Sequence, residues 1–171
     1  MRDLQELIRN IPDFPKKGIL FRDITTLLQN GPQFRRAIDI IAKHYQGKKI
    51  DKIVAVESRG FIIASPLAYK FKAGIIPVRK RGKLPYKTIE ATYELEYGTD
   101  TLQMHADAFQ PGAHILIVDD LLATGGTAKA TIELVKKLKG KVVGVCFLIE
   151  LTALKGREKL KGHNVLSIIK Y

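Results

Sequence analysis

The chain has 171 residues, 46% of them hydrophobic, which suits a single domain with its own core. Lysines and arginines number 29 against 17 acidic residues, and the resulting formal charge of +12 points to anionic partners such as phosphorylated metabolites, nucleic acid or an acidic surface. A single cysteine excludes an internal disulfide framework, no apolar run approaches the ~20 residues of a membrane span, and the polar, amphipathic start is unlike a secretory signal. A cytoplasmic protein with no membrane partner is the expectation. Lys16, Lys48, Lys136, Lys141 and Lys159 are dispersed rather than massed in a tail, so most of the charge reads as a solvated exterior.

In chain order, Leu4, Leu7, Ile8 and Ile11 fit a short amphipathic helix. Pro12 and Pro15 then force an irregular passage through Phe14-Pro15-Lys16-Lys17-Gly18. Phe34, Ile38, Ile41 and Tyr45 recur at helical spacing. Lys52 to Val56 reads as a buried strand, followed by Glu57-Ser58-Arg59-Gly60 and a helix over 61–72, in which Pro66 should sit early or make a kink. Ile75 to Val78 is a further strand. From Arg79 to Phe109 the alternation stops. A basic stretch leads into two alternating runs, Thr92–Tyr97 and Thr101–Met104, separated by Gly98-Thr99-Asp100, which is a hairpin signal. An insertion of this length in an α/β unit predicts a lid over an active site. Strand 115–119, helix 126–139, strand 142–149 and a last strand, Val165 to Ile169, resume the pattern. Strands alternating with helices predict a mostly parallel sheet flanked by helices. Cys146 lies within an apolar run and reads as a buried, inert thiol.

Five segments carry chemistry. After the run Ile115 to Val118 stand two adjacent carboxylates, Asp119 and Asp120, then Ala123-Thr124-Gly125-Gly126-Thr127 opening a helix. Ligands of open α/β sheets bind beyond the carboxyl ends of strands. Backbone N–H groups and a helix N-terminus there favour an anion, glycines admit close approach, and the two threonines add hydroxyl donors. The pattern lacks the Gly-Lys-Ser/Thr of nucleotide-hydrolysing loops and the Gly-x-Gly-x-x-Gly of dinucleotide folds. Glu57-Ser58-Arg59-Gly60 is a second strand end with a glycine turn. Arg79, Lys80, Arg81 and Lys83 place four cations within five residues, suited to a departing diphosphate or simply to solvent. Phe21, on the irregular glycine-containing loop Gly18-Ile19-Leu20-Phe21-Arg22, could stack on a flat base or pack in the core. In the hairpin, Glu94 and Glu96 share one face while Leu95 and Tyr97 share the other. His44, His105, His114 and His163 show no metal-ligand spacing, so no metal site built from side chains is expected.

Val118 to Thr127 resembles the phosphoribosyl-pyrophosphate (PRPP) motif of type I phosphoribosyltransferases. Phe14 to Leu28, Glu57 to Phe61, Arg79 to Pro85 and Leu95 to Gly98 resemble the adenine branch of that family, in the same order. The resemblance implies one phosphoribosyltransferase domain over 1–171, with a small hood over about 1–30 and a flexible hairpin arm over about 79–109. It implies transfer of phosphoribose from PRPP to adenine in purine salvage, giving AMP and pyrophosphate. The 5-phosphate would lie on Ala123, Thr124, Gly125, Gly126 and Thr127, and the ribose hydroxyls on Asp119 and Asp120. Pyrophosphate would meet Ser58, Arg59, Arg79, Lys80 and Lys83, with a cis peptide near Glu57-Ser58. Adenine would be held by backbone near Leu20 and Arg22 and stacked on Phe21. Glu96 and Tyr97 would cover the reacting centre. The resemblance further implies a homodimer in which at least one of Arg79, Lys80 and Lys83 acts across the interface, and Mg²⁺ carried mainly by PRPP or pyrophosphate and water. Two alternatives stand beside it: a transferase for another nucleobase, and a PRPP-binding regulatory protein that uses its basic surface on nucleic acid. Without any added DNA-binding domain, no nucleic-acid partner is expected, although the +12 charge leaves room for another anion.

Overall fold

Alternate residues of the apolar strands face opposite sides of one sheet, and both sides are covered. In a computed structural model that describes residues 2–94 and 98–171, the helices α1 (Arg2–Glu6), α2 (Thr25–Gln29), α3 (Gly31–His44), α4 (Arg59–Phe71) and α5 (Gly126–Lys137) accompany nine strands. These are β1 (Arg9–Ile11), β2 (Phe21–Asp23), β3 (Lys52–Val56), β4 (Gly74–Lys80), β5 (Thr88–Glu94), β6 (Thr99–His105), β7 (His114–Leu122), β8 (Lys141–Glu150) and β9 (Val165–Lys170). The main sheet has the order β5-β6-β4-β3-β7-β8-β9. Its members β4, β3, β7, β8 and β9 pair in parallel. Ile53, Leu116, Val118, Cys146 and Leu148 pack with Leu27, Ile41 and Leu67 on one side. Val54, Ile115, Ile117, Val145 and Phe147 pack with Ile132, Leu134 and Leu160 on the other. This period of two, apolar on both faces, marks parallel strands sandwiched between layers.

The order also places the crevice. From β3 the chain runs through α4 to β4 on one side; from β7 it runs through α5 to β8 on the other. The two departures open a gap between the carboxyl ends of β3 and β7, which is where α/β sheets hold ligands. Register brings Ala55 opposite Val118, so Glu57 leaves the end of β3 beside Asp119 and Asp120 of β7.

Four expectations change. Leu4 to Ile11 is not one helix: α1 ends at Glu6, and Arg9–Ile11 pairs antiparallel with Phe21–Asp23. Partners supplied by the tertiary fold outweigh a weak helical period. Phe21 therefore stands on a short strand rather than on an irregular loop. Of the two alternatives for Pro66, the early position is excluded, since it lies well inside α4. Its missing N–H leaves the Ile62 carbonyl without a helical donor. Finally, the insertion expected over 79–109 extends the main sheet. Arg79 and Lys80 end β4, where they pair antiparallel with Gln103 and Leu102 of β6. Thr99 and Asp100 belong to β6, opposite Glu94 and Tyr93, so they are not part of the turn. Buried Ala91, Leu102 and Met104 anchor the hairpin to the core.

Candidate active site

A cavity of about 300 Å³ lies over the diverging strand ends, with Glu57, Arg59, Lys80, Tyr93, Asp120 and Thr127 among its walls. Five of these six, all but Tyr93, were singled out in the sequence as carrying chemistry. They come from the turn after β3 and from α4, β4, β7 and α5, and the fold alone unites them.

The floor is the acid pair. Asp120 is buried, and its Oδ2 lies 2.8 Å from Arg59 Nε, yet off the line of a hydrogen bond, so that oxygen is left without one. Asp119 Oδ1 accepts the Asp120 amide at 2.9 Å. Burial first, and then the Asp120 carboxylate, push Asp119 well above the usual carboxylate range; burial likewise raises Asp120, against the pull of Arg59. Two neighbouring carboxylates, one of them with a buried oxygen that accepts no hydrogen bond, are primed to accept from a ligand diol. Gly60 makes the pairing with Arg59 possible, because a Cβ there would stand 3.1 Å from both Asp119 Oδ1 and Val118 O. The first turn of α4 thus sits directly on the end of β7.

The loop 123–127 curls beside the acids around a smaller recess of about 60 Å³. Gly125 adopts φ 78°, open to glycine and costly for other residues, and Gly126 begins α5. Loop residues 121–127 include no charged side chain. Thr124 is exposed and Thr127 half-buried. A neutral nest of amides at a helix N-terminus suits a phosphate dianion.

The opposite wall is cationic. Glu57 accepts hydrogen bonds from the Lys80 amide at 2.8 Å and Arg79 Nε at 2.9 Å, with Lys83 Nζ 3.8 Å away. Burial would raise Glu57, but these donors outweigh it and hold the carboxyl below its ordinary value. Lys80 Nζ lies 2.9 Å from Asp100 Oδ2, which raises Lys80 and lowers Asp100. Arg81 pairs with Glu90, and Gln103 bridges Glu90 to the Gly82 amide. The basic stretch is therefore not left to solvent: three carboxylates hold it. Ser58 is exposed just before α4, after a cis Glu57–Ser58 peptide.

Tyr93 joins the two walls. Its ring lies 3.1 Å from where a Cβ on Gly126 would stand, and its hydroxyl is 3.4 Å from Asp100 Oδ2. Tyr93 and Asp100 escaped sequence reasoning; only the alternation in 92–97 placed Tyr93 opposite Glu94 and Glu96. On the far side, Phe21 lies 5.2 Å beneath the Arg59 guanidinium and meets Phe14 edge-on at 5.1 Å. Leu20 and Phe14 are about half exposed, leaving an apolar ledge beside Phe21. The Arg22 side chain turns to Asn10 and stacks 3.7 Å over Tyr171. Glu96 and Tyr97 lie outside the described residues. Cys146 is fully buried, and burial pushes its thiol far up, as expected of an inert core residue.

A crevice at the carboxyl ends of central strands, with a neutral anion nest on one wall and cations on the other, defines a binder of sugar phosphates on an α/β scaffold. The Phosphoribosyl transferase domain matches residues 23–169. Adenine phosphoribosyltransferase of Brachyspira hyodysenteriae is 61% identical, over 99% of both chains. The crystal structure of adenine phosphoribosyltransferase from Thermoanaerobacter pseudethanolicus is 51% identical, with a TM-score of 0.96 over 99% of each chain. That of the Saccharomyces cerevisiae enzyme, complexed with an imino-altritol bisphosphate and adenine, is 40% identical, with a TM-score of 0.92 over 97% of this chain and 96% of that one. The chain belongs to the phosphoribosyl transferase family, within its adenine phosphoribosyltransferase branch.

Proposed function

We infer that the protein transfers the 5-phosphoribosyl group of PRPP to N9 of adenine, releasing AMP and pyrophosphate. The observation that carries this reading is the meeting of Asp119, Asp120 and Thr127 with Arg59 and Lys80 around one cavity. The spacing suits a ribose that lies on the acids, its 5-phosphate on loop 123–127 and its diphosphate against Arg59, Arg79, Lys80, Lys83 and Ser58. Adenine stacks on Phe21 between Leu20 and the Arg22 backbone. The binding of adenine by the yeast relative supports that acceptor.

The bond that breaks is at an anomeric carbon, so the transition state carries positive charge on the sugar while negative charge grows on the leaving diphosphate. Arg59 and the cations of 79–83 favour that build-up because they stand ready before it occurs. Glu96 stabilises the cationic sugar or takes up the proton at adenine N7, and Tyr97 closes the site against water. Mg²⁺ accompanies the diphosphate. Among the described residues no cluster of three or more potential ligands exists, but the hard oxygens of Asp119 and Asp120 fit an ion that keeps waters and uses one or two carboxylates. Bound there, it would neutralise diphosphate charge.

The enzyme acts as a homodimer in the cytoplasm. Ile62 and Tyr69 on α4 and Ile75 on β4 expose large apolar side chains, as a subunit contact would use. Lys83, the most loosely held of the three candidate cations, is the one best able to act in trans. Mixing Lys83→Ala with Asp120→Ala protomers should then restore part of the activity that each lacks alone. Incubation with PRPP, Mg²⁺ and, separately, adenine, hypoxanthine, guanine, xanthine and orotate should yield nucleotide with adenine; none with any base refutes the reading. Glu96→Gln should lower kcat more than it weakens PRPP binding, and unchanged turnover would remove Glu96 from the mechanism.

A further inference from the structure

Behind the neutral loop lies a second backbone layer. After β8 the chain forms two short 3-10 turns, Thr152–Leu154 and Gly156–Leu160. The second is pressed against loop 123–127. A Cβ built on Gly156 would overlap the Ala123 carbonyl and stand 2.9 Å from the Gly125 amide nitrogen. A Cβ on Gly125 would in turn overlap the Gly156 carbonyl and lie 3.1 Å from its carbon. Backbone meets backbone on both sides, so neither glycine can gain a methyl unless a main chain moves.

The adjoining residue fixes that layer in place. Arg157 donates from Nε to Glu150 Oε1 at 2.9 Å and from Nη2 to Glu150 Oε2 at 2.5 Å, and its Nη1 donates to the Val165 carbonyl at 2.8 Å. Glu150 is buried, and Arg157 holds its carboxyl below the ordinary range. Buried Leu160 pins the far end of the turn in the core. Upstream, the Leu151 amide donates to Leu122 O at 2.9 Å, and the Thr152 amide to Tyr171 O at 2.8 Å. None of these residues lines the crevice over the acids.

We propose that Gly156 is a positioning residue for the 5-phosphate loop, held against Ala123 and Gly125 by the forked Arg157–Glu150 ion pair. The inference rests on the reading of 123–127 as the 5-phosphate site. The turn sets how far the loop amides can retreat from the ligand, and small displacements of binding groups are costly. Pyrophosphate, placed on the opposite wall, does not depend on this contact.

The experiment measures binding of ribose 5-phosphate and of pyrophosphate, each with Mg²⁺, to the wild type, to Gly156→Ala and to Arg157→Lys. Gly156→Ala should weaken ribose 5-phosphate about 10- to 100-fold and raise the KM for PRPP similarly, while pyrophosphate affinity stays within about twofold. Arg157→Lys keeps the charge but loses the fork, and should weaken ribose 5-phosphate about 3- to 10-fold. If Gly156→Ala fails to fold, Arg157→Lys decides. Wild-type affinity for ribose 5-phosphate in the folded variants, or equal loss for both ligands, overturns the proposal. A wild-type protein that binds pyrophosphate but no ribose 5-phosphate overturns the loop assignment itself.

Discussion

The two walls of the crevice are made of different materials. Loop 121–127 has no charged side chain and offers amides, two hydroxyls and a helix end, shaped by Gly125 and backed by Gly156. Segment 79–83 offers four cations in five residues and keeps them on carboxylates of its own chain: Glu57, Asp100 and Glu90. A neutral wall needs no counterion, so its affinity depends on the shape of the main chain. A charged wall must exchange a carboxylate for the incoming anion, so its affinity depends on charge balance and screening. This division suits a reaction in which one anion stays bound while the other departs.

Four experiments break or sharpen that contrast. The largest effect should come from the floor that both walls share: replacing Asp119 and Asp120 together by alanine should lower kcat/KM for PRPP by about 10³-fold or more, since two charged acceptors for the diol are lost. Undiminished activity would end the sugar-phosphate reading. Next, Glu57→Gln frees Arg79 and Lys83 from their anchor. It should raise the KM for PRPP about 10- to 30-fold while leaving ribose 5-phosphate affinity nearly unchanged, because only the charged wall loses its geometry. Parallel losses would show that the walls are not independent. Salt tests the same split more gently. Between about 0.05 M and 0.5 M, pyrophosphate affinity should fall about tenfold and ribose 5-phosphate affinity about threefold; equal slopes would contradict the division.

The smallest effect concerns stability. Asp119 holds its proton more tightly in the folded protein than its ordinary value of 3.8 allows, because burial and Asp120 oppose its charge. Folding is thus favoured by this group below that ordinary value, and the advantage disappears as pH rises through the higher folded value. Ionising the pair is therefore a net cost to folding. Asp119→Asn should therefore raise Tm at pH 7 by roughly 2–4 °C, about 1 kcal/mol in a domain of this size, and the gain should shrink toward pH 3. A lower Tm at pH 7 would refute the strain assigned to the acid pair. The same variant should bind PRPP poorly, a trade between stability and function.

Some of this was legible in residue order. The step from Ile115–Val118 through Asp119 and Asp120 to Gly125-Gly126 encodes strand, turn and helix within a dozen residues, and β3, β8 and β9 were equally plain from short apolar runs. The N-terminal segment was not, because Leu4, Leu7, Ile8 and Ile11 fit a helical period while the β1–β2 pairing needs Phe21 from ten residues further on. The hairpin was readable as a hairpin, but its attachment to β4 was not, since the pairing of Arg79 with Gln103 leaves no mark in either segment. Tyr93 and Asp100 were missed for the same reason: each looks like an ordinary strand residue until its partner is known.

The sequence by itself determined the alternation of elements, the apolar period of each strand, and the neutral loop, because backbone preference and side-chain periodicity act over a few neighbouring residues. Only the tertiary structure decided which acid meets which base. Arg59 reaches Asp120, Glu57 takes Arg79, and Gly156 rests on Gly125 because strand order sets β3, β4, β7 and β8 edge to edge and delivers their loops to one place. Charge and close contact act through space, so those pairings exist only once the sheet has formed.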